Sequence, residues 1–287
     1  MSEAPGRVVR DAVARALAED LGELGDLTAA LVPAGATAVA DFVVRADGVL
    51  AGSACATETF RQLDAEVSVR WSAADGDLVG KGQAVGRVEG PLRPVLTGER
   101  TALNFLCHLS GVATLTRRFV DAVEQVGGPR RTRVWDTRKT LPGLRALEKA
   151  AVRAGGGVNH RGSLSDMVLV KDNHLGGTTI RAAVARAREL WPGRGVEVEC
   201  DRAAQVAEAL AAGADLVMLD NMAPSAVAEC VALVRASARP ETLVEVSGGV
   251  TLETVAAYAA AGADLVSTSV ITQSAPALDI GLDLALE

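Results

Sequence analysis

Ala211-Ala212-Gly213-Ala214-Asp215-Leu216-Val217 and Ala260-Ala261-Gly262-Ala263-Asp264-Leu265-Val266 are the same seven residues twice, and their repetition decides the fold. Each copy is preceded, at nearly the same distance, by a strand-like run: Val196-Glu197-Val198-Glu199 before the first and Leu243-Val244-Glu245-Val246-Ser247 before the second. The repeated unit reads strand, helix, Gly-Ala-Asp turn, strand. The glycine stops the helix, since it takes a left-handed cap without steric cost. The aliphatic residues after the turn have the composition of a strand buried on both faces. Strands alternating with helices at this period mean parallel βαβ units. Buried-strand runs in this half number six: Val134–Asp136, Met167–Val170, Val196–Glu199, Leu216–Leu219, Val244–Ser247 and Leu265–Thr268. Six is short of a full eight-stranded barrel. Either the barrel is reduced and open, or two strands escape notice. An open doubly wound sheet is the alternative, but no GxGxxG follows the first strand, and the repeat favours a barrel.

The first 110 residues have a different texture. An amphipathic helix pattern runs from Val8 to Leu21, and a strand-like alternation follows at Ala38–Arg45. Between Asp75 and Val88, glycines every few residues separate short Val and Leu pairs, which suits tight turns between short strands. That spacing resembles the small β-sandwich of biotinyl and lipoyl carriers, although Lys81 is not at the carrier's modified position. Thr97 reads as the N-cap of a long helix, broken near Gly111 and ending at Gly127-Gly128-Pro129.

Composition excludes several classes of function. Of the 287 residues 49% are hydrophobic and only 3% aromatic, so the core is aliphatic. No stretch approaches the roughly 18 uninterrupted apolar residues of a membrane helix. Met1–Gly6 lacks a basic-then-apolar run, so no signal peptide is expected and a cytoplasmic location follows by default. The four cysteines show no CxxC and read as small core residues in a reducing compartment. The three histidines lack zinc-ligand spacing. A net charge of −7 argues against nucleic acid or an anionic membrane as partner.

In β/α barrels the active site lies at the C-terminal ends of the strands, and here every apolar run ends in polar residues. The first is followed by Asp136-Thr137-Arg138-Lys139 and the second by Lys171-Asp172-Asn173-His174. The third ends in Glu199, the fourth in Asp220-Asn221, the fifth in Ser247-Gly248-Gly249 and the sixth in Ser267-Thr268-Ser269. A lone strand-end charge is commonly a solvated cap, but six polar ends together point to a site. Arg138, Lys139 and Lys171 would converge on one mouth, with Arg161 delivered by the preceding loop. In an acidic chain such a cluster makes sense if the ligand is a polyanion. Glu199 and Asp220 suit sugar hydroxyls or Mg²⁺. Ser247-Gly248-Gly249, leading into a helix expected near Thr251, suits a phosphate. Polyanion, sugar and phosphate together suggest a phosphorylated sugar substrate. His174 is as readily a satisfied loop histidine as a ligand, and Gly155-Gly156-Gly157, followed by Asn159-His160-Arg161, reads as a flexible loop able to cover substrate.

Several segments resemble quinolinate phosphoribosyltransferases: Glu99–Leu106, Asp136–Thr140 with Pro142–Arg145, Gly155–Arg161, Lys171–His174, Glu197–Glu199 and Ala277–Asp283. They run in order from about residue 18 to the end. The resemblance implies transfer of a phosphoribosyl group from phosphoribosyl diphosphate to quinolinate with decarboxylation, giving nicotinate mononucleotide, CO₂ and diphosphate for NAD synthesis. It implies an N-terminal α/β sandwich domain over residues 1–112, rejoined by the tail 273–287, and an incomplete barrel of about six strands over 113–272. It implies a homodimer, with a higher oligomer left open, in which Arg100 of the partner subunit reaches the barrel mouth. By motif position, Arg100, Arg138, His160, Arg161 and Lys171 would hold the pyridine dicarboxylate. Thr137, Lys139, Lys171 and His174 fall in the segments that face the substrates, with Lys139 and Lys171 also on the phosphoribosyl diphosphate. Glu199 and Asp220 would meet ribose and metal, and Ser247-Gly248-Gly249 with Thr268-Ser269-Val270 the 5′-phosphate. Mg²⁺ is the implied cofactor, and no organic cofactor is needed. The chain departs from the family at Ser269, where Gly is usual, and at Cys107, where Gln is commoner. Two rivals remain: a related pyrophosphorylase-like protein acting on a different base, and a Schiff-base aldolase using Lys171, which would need that lysine neutral among Arg138, Lys139 and Arg161.

Overall fold

The computed structural model describes residues 4–127 and 131–286. Gly128 and Pro129, read above as the end of the long helix, and Met1–Glu3 lie outside them. The chain forms two compact units. One comprises the described residues up to Arg117, with Thr140–Gly156 and the residues from Ile271 onward; the other comprises Arg118–Lys139 and Gly157–Val270. The tail from Ile271 onward and the stretch 140–156 thus both belong with the first unit, whereas the sequence reading divides the chain at 112/113 and 272/273.

The first unit opens with helix α1 (Gly6–Leu21), whose Val9, Ala12, Val13 and Leu17 form one buried stripe. Next come β1 (Thr37–Val44), β2 (Gly48–Val49), α2 (Ser53–Leu63), β3 (Ser68–Trp71), β4 (Leu78–Val79), β5 (Ala84–Pro91) and α3 (Leu92–Glu124). Strand β1 buries every second residue, Ala38, Ala40, Phe42 and Val44, as a half-buried strand must. It lies between β5 and the final strand of the chain, Ile280–Leu286, both antiparallel to it, with β3 on the far side of β5. This sheet shares one core with the two helices: Phe42, Val44 and Val88 cluster with Ala56 and Phe60 of α2 and Ala102 and Leu106 of α3. The short β2–β4 ladder stands apart.

Two expectations for α3 fail. The helix begins at Leu92, so Thr97 is inside it, and its hydroxyl donates to Asp26 (3.0 Å) instead of capping. Gly111 does not break the helix. A side chain there would place Cβ 2.1 Å from the Pro276 carbonyl, so the glycine permits close packing.

The second unit is a six-stranded parallel sheet. Its strands are β6 (Arg133–Trp135), β7 (Val168–Val170), β8 (Val196–Cys200), β9 (Leu216–Asp220), β10 (Leu243–Ser247) and β11 (Leu265–Ser267). They lie in the order β6-β11-β10-β9-β8-β7, so the sheet is open. Helices α5 (Ile180–Leu190), α6 (Ala203–Ala212), α7 (Pro224–Ala236) and α8 (Val255–Ala260) connect the later strands, while α4 (Arg145–Ala154) falls in the first unit. The two repeats fold alike. Gly213 and Gly262 end their helices with φ of 85° and 90°. Asp215 and Asp264 then each accept the amide of a neighbouring strand, Val196 and Val244, at 2.8 Å. Each also takes an arginine from the last turn of the helix that precedes that neighbouring strand, Arg188 of α5 (2.7 Å) and Arg235 of α7 respectively. Among the described residues no helix is long and apolar enough to cross a membrane.

Candidate active site

Side chains alternate across a strand, and in β8, β9 and β10 the polar residues share one parity. In β8, Val196, Val198 and Cys200 are buried while Glu197 and Glu199 take the other face. Asp220 pairs in register with Ser247, and Glu245 with Met218. At the C-terminal ends Glu199, Met218, Asp220, Glu245 and Ser247 line a cavity of about 660 Å³. It gathers Thr137, Arg138, Lys139, His160, Arg161 and Lys171 with Glu199 and Asp220. Ser247, Gly248, Gly249, Thr268, Ser269 and Val270 complete the expected set. Two expected residues are not in its lining. His174 sits in a short turn after β7, where its Nδ1 accepts the Lys171 amide at 3.1 Å. Arg100 is on α3 of the first unit, its side chain 78% exposed and 3.6 Å from Glu99.

The strand order sorts the charges. Arg138 and Lys139 follow β6, and Lys171 follows β7, the two edges of the open sheet. Glu199 and Asp220 end the adjacent β8 and β9, and the Ser-Gly-Gly and Ser-Thr-Ser segments end the adjacent β10 and β11. Lys171 Nζ is bound to Glu199 Oε2. The lysine therefore meets a carboxylate and not the apolar pocket that a Schiff-base nucleophile needs. Glu199 and Asp220 each offer carboxylate oxygens, the donors that a hard cation such as Mg²⁺ prefers. Lys171 and Asn221 engage one oxygen of each, the latter at 2.9 Å.

Arg161 is built in. Its Nη1 donates to the Met167 carbonyl (3.2 Å), and the turn after it is closed by Asp166, which accepts the Gly162 and Ser163 amides at 2.7 and 3.0 Å. Burial, and then Arg138 beside it, lower the pKa of its guanidinium. Two cations held this close are ready for an anion that relieves their repulsion.

Beneath them is a cluster the sequence reading does not foresee. His160 Nε2 lies 3.1 Å from Glu197 and 3.4 Å from Glu245, both fully buried. The Trp135 ring meets the imidazole edge-on at 4.8 Å. Burial opposes charge on His160, but Glu197 and Glu245 outweigh it and lift the imidazole to about 9. Nδ1, however, accepts the Arg161 amide at 2.7 Å, so the ring proton is on Nε2, between the carboxylates. The further proton that the cluster attracts goes to Glu197, whose carboxyl is raised to about 8 by burial and then by Glu245. Glu245 stays charged: burial works against it, but the hydrogen bond from His160 holds it below the usual range. Asp136, also fully buried, accepts the His160 amide (2.9 Å) and the Asn159 side chain (2.6 Å), which fixes this segment.

The phosphate-type loop also differs in detail. Gly248 and Gly249 are both left-handed (φ 87° and 61°), a backbone that makes a concave row of amides able to hold an anion. Helix α8 starts at Val255, four residues later than expected. Thr251 instead turns the chain by donating its amide to the Thr254 hydroxyl at 3.0 Å. An anion here meets turn amides and not a helix end. Among non-glycine described residues only Asn221 has positive φ (54°). Ser269 therefore does not occupy a backbone that demands glycine. Asn221 lines the cavity, was not singled out in the sequence, and packs against Gly248, where a Cβ would stand 2.4 Å from its Oδ1. Gly155 is not a flexible hinge: it caps α4, and a Cβ there would come within 2.3 Å of the Ala113 carbonyl.

Comparison with known proteins gives one consistent result. Residues 26–110 match the family model "Quinolinate phosphoribosyl transferase, N-terminal domain", and residues 112–283 match the C-terminal domain of the same name. The chain is 40% identical, over 99% of its length and 100% of the relative, to a nicotinate-nucleotide pyrophosphorylase [carboxylating] of Mycobacterium leprae. It is 39% identical to quinolinate phosphoribosyltransferase [decarboxylating] 1 of Nicotiana glauca, over 95% of this chain and 82% of that one. Its fold matches the solved nicotinate-nucleotide pyrophosphorylase of Francisella tularensis with a TM-score of 0.91 at 37% identity, covering 99% of this chain and 98% of that one.

Proposed function

Because this chain belongs to the quinolinate phosphoribosyl transferase family, we propose that the mouth of its parallel sheet is where the family's reaction takes place and that the charges divide the work. The reaction is transfer of the phosphoribosyl group of phosphoribosyl diphosphate to quinolinate with decarboxylation, a step of NAD biosynthesis. The observation that carries the assignment of the site is the sorting of opposite charges in one cavity: Arg138, Arg161 and Lys171 toward the sheet edges, Glu199 and Asp220 on adjacent inner strands.

In this reading Arg138, Arg161 and Lys171 bind the two ring carboxylates, and Lys139 with Lys171 faces the diphosphate. Glu199 and Asp220 hold the ribose hydroxyls and would hold a Mg²⁺, which would supply positive charge to offset that of the leaving diphosphate. Thr137, Ser247 to Gly249 and Thr268 to Val270 take the 5′-phosphate end. The ring nitrogen bonds to the anomeric carbon as the bond to diphosphate breaks, and the nearby carboxylates stabilise the positive charge that develops there. The quaternised ring then accepts the electron pair of the C2–carboxylate bond. CO₂ departs, and C2 takes a proton. The enzyme works in the cytoplasm as a homodimer, each site completed by Arg100 of the partner subunit, which the substrate's high negative charge makes a useful addition.

The protein mixed with quinolinate, phosphoribosyl diphosphate and Mg²⁺ should release nicotinate mononucleotide and CO₂. Nicotinate lacks the second carboxylate and leaves half-buried cations without it, so its kcat/KM should be lower by at least about 100-fold. Comparable turnover of both acids would show that the cation cluster does not read a dianion.

A further inference from the structure

Both ring nitrogens of His160 are engaged by the protein. Nε2 faces Glu197 on β8 and Glu245 on β10, at 3.1 and 3.4 Å, and Nδ1 accepts the backbone amide of Arg161 at 2.7 Å. The ring is buried, with a side-chain exposure of 6%, and Trp135 of β6 covers one edge. Other charges around the segment are Asp136, which holds the His160 amide, and the Arg161 guanidinium with Arg138 beside it. A histidine that donates downward and accepts sideways has no N–H to offer a ligand above it.

We propose that His160 is a positioning residue and not a substrate ligand: Glu245 and Glu197 anchor its Nε2, and its Nδ1 fixes the Arg161 backbone, so that two carboxylates of the parallel sheet determine where the Arg161 guanidinium stands. The proposal rests on the reading above that Arg161 binds a carboxylate of the dianion. Buried carboxylates commonly orient an imidazole in this way through its second nitrogen. Here the oriented group is the next residue's backbone. Glu245 is thereby given a part in substrate recognition through His160 and the Arg161 backbone.

Two side-chain swaps separate the alternatives. Asparagine keeps an acceptor where Nδ1 stands but does not reach the carboxylates; glutamine reaches them but leaves the Arg161 amide without its acceptor. His160→Gln should therefore raise the KM for quinolinate about tenfold above that of His160→Asn, the loss of one well-made contact. The KM for phosphoribosyl diphosphate should stay within about twofold of wild type in both. Equal losses in the two variants would overturn the proposal, as expected of a ring that binds substrate directly. Should either variant fail to fold, ¹⁵N spectra of the wild-type imidazoles decide, with His108 and His174 assigned by substitution. A bare Nδ1 and a protonated Nε2 on His160, unchanged when quinolinate is added, support it; two protonated nitrogens, or a proton gained at Nδ1 on adding quinolinate, overturn it. Wild-type turnover of quinolinate is measured on the same preparation. Its absence would sink the functional assignment, while the nitrogen spectra would still report on the His160 anchor.

Discussion

Asn221 and Gly248 show how closely one residue can constrain a site. Asn221 holds a left-handed backbone (φ 54°), its amide donates to the Ser247 carbonyl at 3.0 Å, and its side chain donates to Asp220 at 2.9 Å. Left-handed backbone costs a non-glycine residue roughly 1–2 kcal/mol, and asparagine is among the residues that tolerate it best. The strain is therefore maintained where it orients a carboxylate. Asn221→Gly should leave the melting temperature nearly unchanged, since relief of strain offsets the added freedom of the unfolded chain. The same change should raise the KM for phosphoribosyl diphosphate, because Asp220 loses its partner. Gly248→Ala should do both kinds of damage: Cβ would collide with Asn221 at 2.4 Å, at a φ of 87°. A fall of a few degrees in melting temperature with a loss of about tenfold or more in kcat/KM is expected. A Gly248→Ala protein with wild-type kinetics would show that the loop does not approach the substrate.

At the level of elements, the repeated Gly-Ala-Asp turn is a structural device at the end of the sheet opposite the cavity. Asp264 Oδ2 binds both the Val244 amide (2.8 Å) and the Arg235 guanidinium, and its side chain is 8% exposed. Asp215 makes the equivalent bonds with a side chain 35% exposed. Removing a buried charged partner costs about 1.5–3 kcal/mol, and screening lowers the figure at a wetter site. Asp264→Ala should thus lower the melting temperature by several degrees, Asp215→Ala by less, with neither KM changed. Thermal unfolding with parallel kinetics checks it, and equal shifts would refute the burial argument. This turn was legible in the sequence because it repeats, and the strand ends because alternation in a parallel sheet sends alternate residues to one face. What the sequence hid is nonlocal. Thr97 and Gly111 carry the local marks of a cap and a break, but their roles depend on Asp26 and on the Pro276 carbonyl, remote in the chain. Glu245 reads as one polar residue in a strand until β10 is laid two places from β8.

At the scale of the whole molecule, the chain concentrates cations locally while remaining acidic overall, at −7. Arg138, Arg161 and Lys171 are in the second unit, with Glu197, Glu199 and Glu245 near enough to offset them, and Arg100 is in the first. Arg100 has its side chain 78% exposed, with Glu99 at 3.6 Å. An exposed pair of that kind contributes little to stability, so the arginine is available for a role beyond its own helix. If Arg100 of the partner subunit completes each site, Arg100→Ala and Lys171→Ala proteins should each be nearly inactive. Mixed and allowed to exchange subunits, they should regain activity. Each hybrid dimer would carry one site with both residues intact and one lacking both, so at most about one quarter of the sites in an equal mixture would recover. This follows because random exchange makes half the dimers hybrid and closed two-fold symmetry gives each dimer two equivalent sites. Exchange is verified separately by mass-tagging one variant. Full activity in homogeneous Arg100→Ala dimers would remove Arg100 from the site. A mixture that stays inactive despite verified exchange would assign it to its own subunit, because in that arrangement every hybrid site would lack one of the two residues.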